Sequence, residues 1–171
     1  FKFAFDEAGN CKGQEIQDFL EFILKGEFSN GEGHVSNYDI TNDYIELFKN
    51  NINFGKRRIK VVVEPGNGTT AVIVKKIYDL FPMDIVYIND DSDGTFPNHH
   101  PDPCVEDNLA QLKAKVKEVG ADVGVSFDGD GDRLGVVTGK GQFIPTDIYM
   151  ILIVRDIINK VSKKEFLCDV K

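Results

Sequence analysis

Cysteine is scarce in this chain: Cys11, Cys104 and Cys168 are three in 171 residues, odd in number and far apart. That spacing offers neither a disulfide framework nor the paired thiols of a structural zinc site, and it suits reduced thiols in a cytoplasmic protein. Surplus positive charge is also lacking. Twenty Lys and Arg stand against 28 Asp and Glu, a formal net charge of −8. Such a balance argues against sequence-independent nucleic-acid binding, which runs on basic surface. The single basic run, Lys56-Arg-Arg-Ile-Lys60, is too short to reverse this and reads as the exposed lead-in to a strand. Small molecules bearing phosphate stay open, because a local group of Lys and Arg suffices for them. No apolar run is long enough to span a bilayer, and no signal-peptide pattern is visible, so no membrane partner is expected. The first residues alternate like a strand without a leading Met and Lys171 follows directly on another such stretch, so both ends are expected to continue into a larger protein.

What the chain does have is acid concentrated at one place. Ser126-Phe-Asp-Gly-Asp-Gly-Asp-Arg133 alternates Asp128, Asp130 and Asp132 with two glycines. Three carboxylates this close repel one another unless something positive sits between them. The glycines let the backbone curl until the side chains converge. Hard oxygen ligands on a tight loop, too few to enclose an ion, suit Mg²⁺, which keeps water or substrate oxygens in its remaining positions. A solvated turn would need only one or two of these residues. A calcium loop of the EF-hand type fails on three counts: Arg133 stands where glycine is required, Gly139 where glutamate is required, and the flanks read as strands.

The rest of the chain supplies a frame. Residues 1–5 alternate with period two and predict a strand, and Ile16, Phe19, Leu20 and Ile23 predict an amphipathic helix over 14–24. Residues 26–33, rich in Gly, Ser and Asn, read as a linker. A helix is expected over 41–50. A Val-rich strand buried on both faces follows over 59–64, then a glycine turn at Pro65-Gly-Asn-Gly68, a helix over 71–81 and a strand over 84–88: the opening of a βαβ unit. The turn lacks both the Lys-Ser/Thr ending of a P-loop and the third glycine of a dinucleotide fingerprint, so it reads as structural. Residues 89–103 form a long polar loop around Asn98-His-His100, whose histidines read as hydrogen-bonded scaffolding. A helix over 109–119, ended by Gly120, leads to a third strand over 121–127, with the acidic loop at its carboxyl end, where open α/β sheets place ligands. Strands over 134–138 and 142–144 make a hairpin. A helix over 146–159, whose Ile148–Val154 stretch is apolar almost all round, is expected to be buried on more than one side, and a new strand begins at 166–170.

Three of these motifs, with Val62-Val-Glu64 leading into the glycine turn, resemble the α-D-phosphohexomutase superfamily, and within it the phosphomannomutase/phosphoglucomutase group. The likeness rests on Val62-Val-Glu-Pro-Gly-Asn-Gly68, Asp93-Gly-Thr-Phe-Pro-Asn-His-His-Pro-Asp-Pro103, Phe127-Asp-Gly-Asp-Gly-Asp-Arg133 and Asp169-Val-Lys171. It implies a three-layer α/β/α domain around a mixed four-stranded sheet with one strand antiparallel. It implies that residues 1–35 are the tail of a first domain, 36–164 the second domain, and 165–171 the start of a third. It further implies interconversion of hexose 1-phosphate and hexose 6-phosphate (mannose or glucose) through an active-site phosphoserine and a bisphosphorylated sugar. On that likeness Asp128, Asp130 and Asp132 hold Mg²⁺, Arg133 positions the phosphoserine or substrate, and Lys171 lies near the sugar. The phosphoserine loop of the family is absent from these residues, so this stretch alone is expected to be inactive and to rely on the remaining domains. Two other classes stay open: a non-catalytic divalent-metal-binding α/β module, and a phosphatase-like enzyme with an aspartate nucleophile in the acidic loop.

Overall fold

A computed structural model describes residues 3–5 and 9–167 of the chain, which divides into two compact units, Phe1–Tyr38 and Asp39–Lys171. In the first unit the expected amphipathic helix is α1, Gln14–Lys25, closed by Gly26 in the left-handed conformation. Its Phe19 packs edge-to-face on Phe3 and Phe5, with ring centroids 5.2 and 5.3 Å apart. The strand expected over 1–5 is not formed by residues 3–5. The Cys11 N–H donates to the Phe3 carbonyl at 2.7 Å. The remainder of that expected strand lies outside the described residues, as does most of the one expected over 166–170, whose residues 166–167 have no regular structure.

The second unit begins with α2, Thr41–Asn51, and then builds one sheet. β1 (Lys60–Glu64) runs parallel to β2 (Asp84–Tyr87) on one side and to β3 (Val123–Phe127) on the other. β4 (Leu134–Thr138) pairs antiparallel with β3, and the two-residue β5 (Phe143–Ile144) pairs antiparallel with β4. The strand order is therefore β2-β1-β3-β4-β5, five strands rather than four, and β4 alone runs against the others. The mixed α/β class is as expected, and the additional strand is the short return of the hairpin.

Alternation along β1 explains the layers. Val62 faces α4 (Ala110–Val119) and packs with Leu109, Leu112, Val116, Ala121 and Val137. Val61 and Val63 face the other way, onto Val74 of the short helix α3 (Val74–Tyr78) and onto Tyr78, Ile85, Val125 and Phe127. Both faces of β1 are thus covered, as a continuous valine run demands. Gly124 in β3 lets α4 come close: a Cβ there would stand 2.6 Å from Val116 Cγ2 and 2.8 Å from Leu112 Cδ1.

Two helices differ from expectation. The helix read over 71–81 is broken at Ile73 into a 3₁₀ turn, Thr69–Val72, and α3. The β-branched residues Thr69, Thr70, Val72, Ile73 and Val74 are the physical reason, since such side chains crowd the preceding helical turn. α5 (Thr146–Ile157) was expected to be covered on more than one side, yet none of its residues is buried, and Leu152 is 63% exposed. It packs mainly on β4, with Tyr149 Oη donating to the Leu134 carbonyl at 3.0 Å. Apolar character all round says that a helix wants cover, not that this chain supplies it.

Candidate metal-binding site

Because β1, β2 and β3 are parallel, their carboxyl ends share one edge of the sheet. The three motifs that the sequence presents separately meet there: the turn after β1, the loop after β2 and the acidic loop after β3. The acidic loop is held at both stems, where Phe127 pairs with Leu134 across the β3–β4 ladder. Within it one oxygen from each of Asp128, Asp130 and Asp132 lies within 4.8 Å of the others, Asp128 buried and the other two exposed. The expected convergence of carboxylates is therefore present. Only Gly131 of the two loop glycines takes a positive φ, 79°.

Asp128 is tied down twice by Arg133. Its Oδ1 accepts from the Arg133 backbone N–H at 3.0 Å, and its Oδ2 from Nε at 2.8 Å. Burial pushes this carboxyl up, but the hydrogen bonds and charge of Arg133 outweigh that, so its pKa falls below the ordinary carboxylate value and Asp128 stays ionised. Arg133 Nη1 also donates to Asp102 Oδ1 at 2.7 Å, and Asp102, through Arg133 and the Cys104 backbone N–H, is likewise held below the ordinary value against the upward pull of burial. Arg133 is thereby fixed on one flank while about half of its side chain, 47%, remains exposed. Lys171 lies outside the described residues.

Behind the loop stands a second layer that the sequence reading passed over. Glu64, the last residue of β1, is fully buried. Its Oε1 accepts from Asn89 Nδ2 at 2.6 Å and lies 2.9 Å from His99 Nε2, while Oε2 is buried with no hydrogen-bond partner among the described residues. Asn67, at positive φ, accepts from Asn98 Nδ2 at 2.8 Å and donates its own amide to the Asp91 carbonyl at 2.9 Å. Of the two histidines expected to be scaffolding, His99 is scaffolding of this kind, while His100 is exposed. A glutamate closing a strand that is covered on both faces was the available signal, because a lone acid there must find a partner.

The two layers touch at Gly129. Thr69 donates to the Gly129 carbonyl from its N–H at 3.0 Å and from Oγ1 at 3.2 Å. Gly68 makes that approach possible, since a Cβ there would lie 2.8 Å from the same carbonyl oxygen. On the far side Phe96 and Pro101 of the β2 loop stand 3.6 Å from where a Gly129 Cβ would be. A cavity of about 310 Å³ opens beside Asp130 and Gly131, but Tyr44, Phe48, Ile73 and Val74 make its lining largely apolar. The three carboxylates alone form a compact hard-oxygen donor set with open positions, which fits Mg²⁺.

Comparison with known proteins agrees with this frame. Residues 42–141 match the family model described as phosphoglucomutase/phosphomannomutase, alpha/beta/alpha domain II. The chain is 39% identical over 158 residues to a phosphomannomutase/phosphoglucomutase of Pseudomonas aeruginosa, covering 92% of this chain and 34% of that one. It is 37% identical over 161 residues to a phosphoglucomutase of Neisseria meningitidis, covering 93% of this chain and 35% of the relative. The chain thus spans about a third of the length of these curated relatives. A solved phosphoglucomutase/phosphomannomutase family protein from Burkholderia thailandensis superposes with a TM-score of 0.82 at 37% identity, over 88% of this chain and 32% of that one. With more than half of its residues matched by the family's second-domain model and its fold shared with a solved relative, the chain belongs to the phosphoglucomutase/phosphomannomutase family.

Proposed function

We propose that this chain is the metal-holding part of a phosphohexomutase that interconverts hexose 1-phosphate and hexose 6-phosphate, of mannose or glucose, through a phosphoserine and a bisphosphorylated sugar. The observation that carries the reading is the gathering of Asp128, Asp130 and Asp132 within 4.8 Å at the carboxyl edge of the sheet. Residues 1–35 are then the tail of one domain, 36–164 the second domain and 165–171 the start of a third, with the phosphoserine supplied from outside this stretch. Asp128, Asp130 and Asp132 hold the Mg²⁺. When bound, the ion offsets negative charge on the phosphoryl group in transfer. Asp128 serves it as an anion kept ionised by Arg133. Arg133, anchored by Asp128 and Asp102, offers the rest of its planar fork to phosphate oxygens. Lys171 is assigned to the sugar on the family likeness. A cytoplasmic setting suits the free Cys11 and Cys104.

The test uses the complete protein with glucose 1-phosphate and mannose 1-phosphate. Asp130→Asn is expected to lower kcat about 100-fold, the scale of losing about 3 kcal/mol of charge stabilisation. Calorimetric titration of the 171-residue chain is expected to give Mg²⁺ binding that Asp130→Asn abolishes. An unaltered turnover, or phosphate trapped on an aspartate of the loop instead of a serine, overturns the reading.

A further inference from the structure

Glu64 poses a problem that stability does not answer. A fully buried carboxylate with one oxygen unmet costs free energy, and a hydrophobic residue would fill the end of β1 more cheaply. Its connections lead toward the acidic loop. Glu64 Oε1 gathers Asn89 from the end of β2 and His99 from the long loop. The His99 Cε1 lies 3.8 Å, and Pro101 Cβ 3.6 Å, from where a Cβ on Gly66 would be, and the Gly66 turn leads directly into Thr69. Thr69 hydrogen-bonds the Gly129 carbonyl, between Asp128 and Asp130, and Pro101 Cγ lies 3.6 Å from where a Cβ on Gly129 would be. Thr70 Oγ1 occupies the space beside Gly131, between Asp130 and Asp132.

We propose that Glu64 and His99 are positioning residues for the metal loop: their buried link fixes the turn after β1 against the β2 loop, and the two together hold Gly129 so that the carboxylates on either side stay at ligand spacing. Neither touches an ion or a substrate. The inference rests on the metal reading above and extends it to residues that the acidic motif does not contain. Partners standing behind metal ligands set affinity because they remove the freedom of the ligands to splay, and losing one typically weakens binding about 10- to 100-fold.

The experiment reads Mn²⁺ bound to the 171-residue chain by water-proton relaxation, well below the melting midpoint of each variant. His99→Ala is expected to weaken Mn²⁺ at least about 10-fold. His99→Gln, which keeps an Nε2–H donor for Glu64, is expected to stay near the unaltered affinity. A merely structural role moves the melting midpoint and leaves the affinity of the folded fraction alone. Unchanged affinity in His99→Ala, or His99→Gln as weak as His99→Ala, overturns the proposal. No Mn²⁺ binding to the unaltered chain overturns the metal reading and this proposal together, which separates the two failures. Should His99→Ala fail to fold, the unaltered chain decides. Saturating Mg²⁺ is expected to shift the His99 imidazole resonances and not those of His34, and unshifted His99 resonances overturn the proposal.

Discussion

At the scale of single residues the chemistry divides between two pairs. Arg133 with Asp128 is a charged bond at the mouth of the loop, and Glu64 with His99 is a buried one behind it. The second pair carries a pH signature. Burial pulls His99 down, but its bond to the His100 carbonyl and the hydrogen bond and charge of Glu64 raise it more, so it ends above the ordinary value of 6.5. A group with a raised folded-state value contributes fully to stability below its unfolded value and loses that contribution as pH climbs through the folded one. Urea midpoints measured from about pH 5 to pH 8, across the histidine range, are therefore expected to show the unaltered chain losing its lead over Glu64→Gln as pH rises. A lead that is constant across that range rules out a charged imidazole in the folded chain. The acidic octet was legible because no core and no ordinary turn requires three carboxylates in five residues. Glu64 was not, because within Val61-Val-Val-Glu-Pro65 it reads only as the polar end of a strand, and its partners Asn89 and His99 lie 25 and 35 residues further on.

At the scale of elements, period and punctuation carried most of the fold. A continuous valine run made β1 readable as a strand covered on both faces, and Gly120 marked the end of α4, where it adopts φ 62°. Register and closeness were not readable, since they depend on which strand lies beside which. Gly124 is an instance. In sequence it is a weak point in a strand, and in the fold it is where α4 rests on β3. Gly124→Val is expected to cost about 1–3 kcal/mol by forcing Leu112 and Val116 off their positions, measured as a lower denaturant midpoint. The same substitution is expected to leave Mg²⁺ affinity of the folded chain intact, because the packing lies on the α4 face and away from the loop. α3 shows the opposite failure. Its apolar spacing predicted a helix of three turns, but crowding among Thr69, Thr70, Val72 and Ile73 limits it to five residues preceded by a 3₁₀ turn.

At the scale of the molecule, the described residues fall into two units. The second has a sheet covered on both faces by its own helices. Its last helix, α5, carries Ile148, Ile151, Leu152 and Ile153 at 43–63% exposure. Among the described residues no helix is long and apolar enough to cross a membrane. Leu152→Glu is expected to alter the stability of the 171-residue chain by no more than about 0.5 kcal/mol, as for an ordinary surface position, with thermal melting as the measure. A larger loss means that the chain covers α5 in solution. The hairpin stems of the acidic loop have a further bearing on how a whole enzyme of this kind operates. Phe127 and Leu134 are stitched together at the loop's base, and Thr69 pins its crown. Carrying the loop's backbone outward would mean peeling Phe127 from Leu134 at the end of the β3–β4 ladder, so in the proposed mutase that backbone is expected to travel with the sheet. On that reading the phosphate is brought to the loop, and only the exposed side chains of Asp130 and Asp132 turn to meet it.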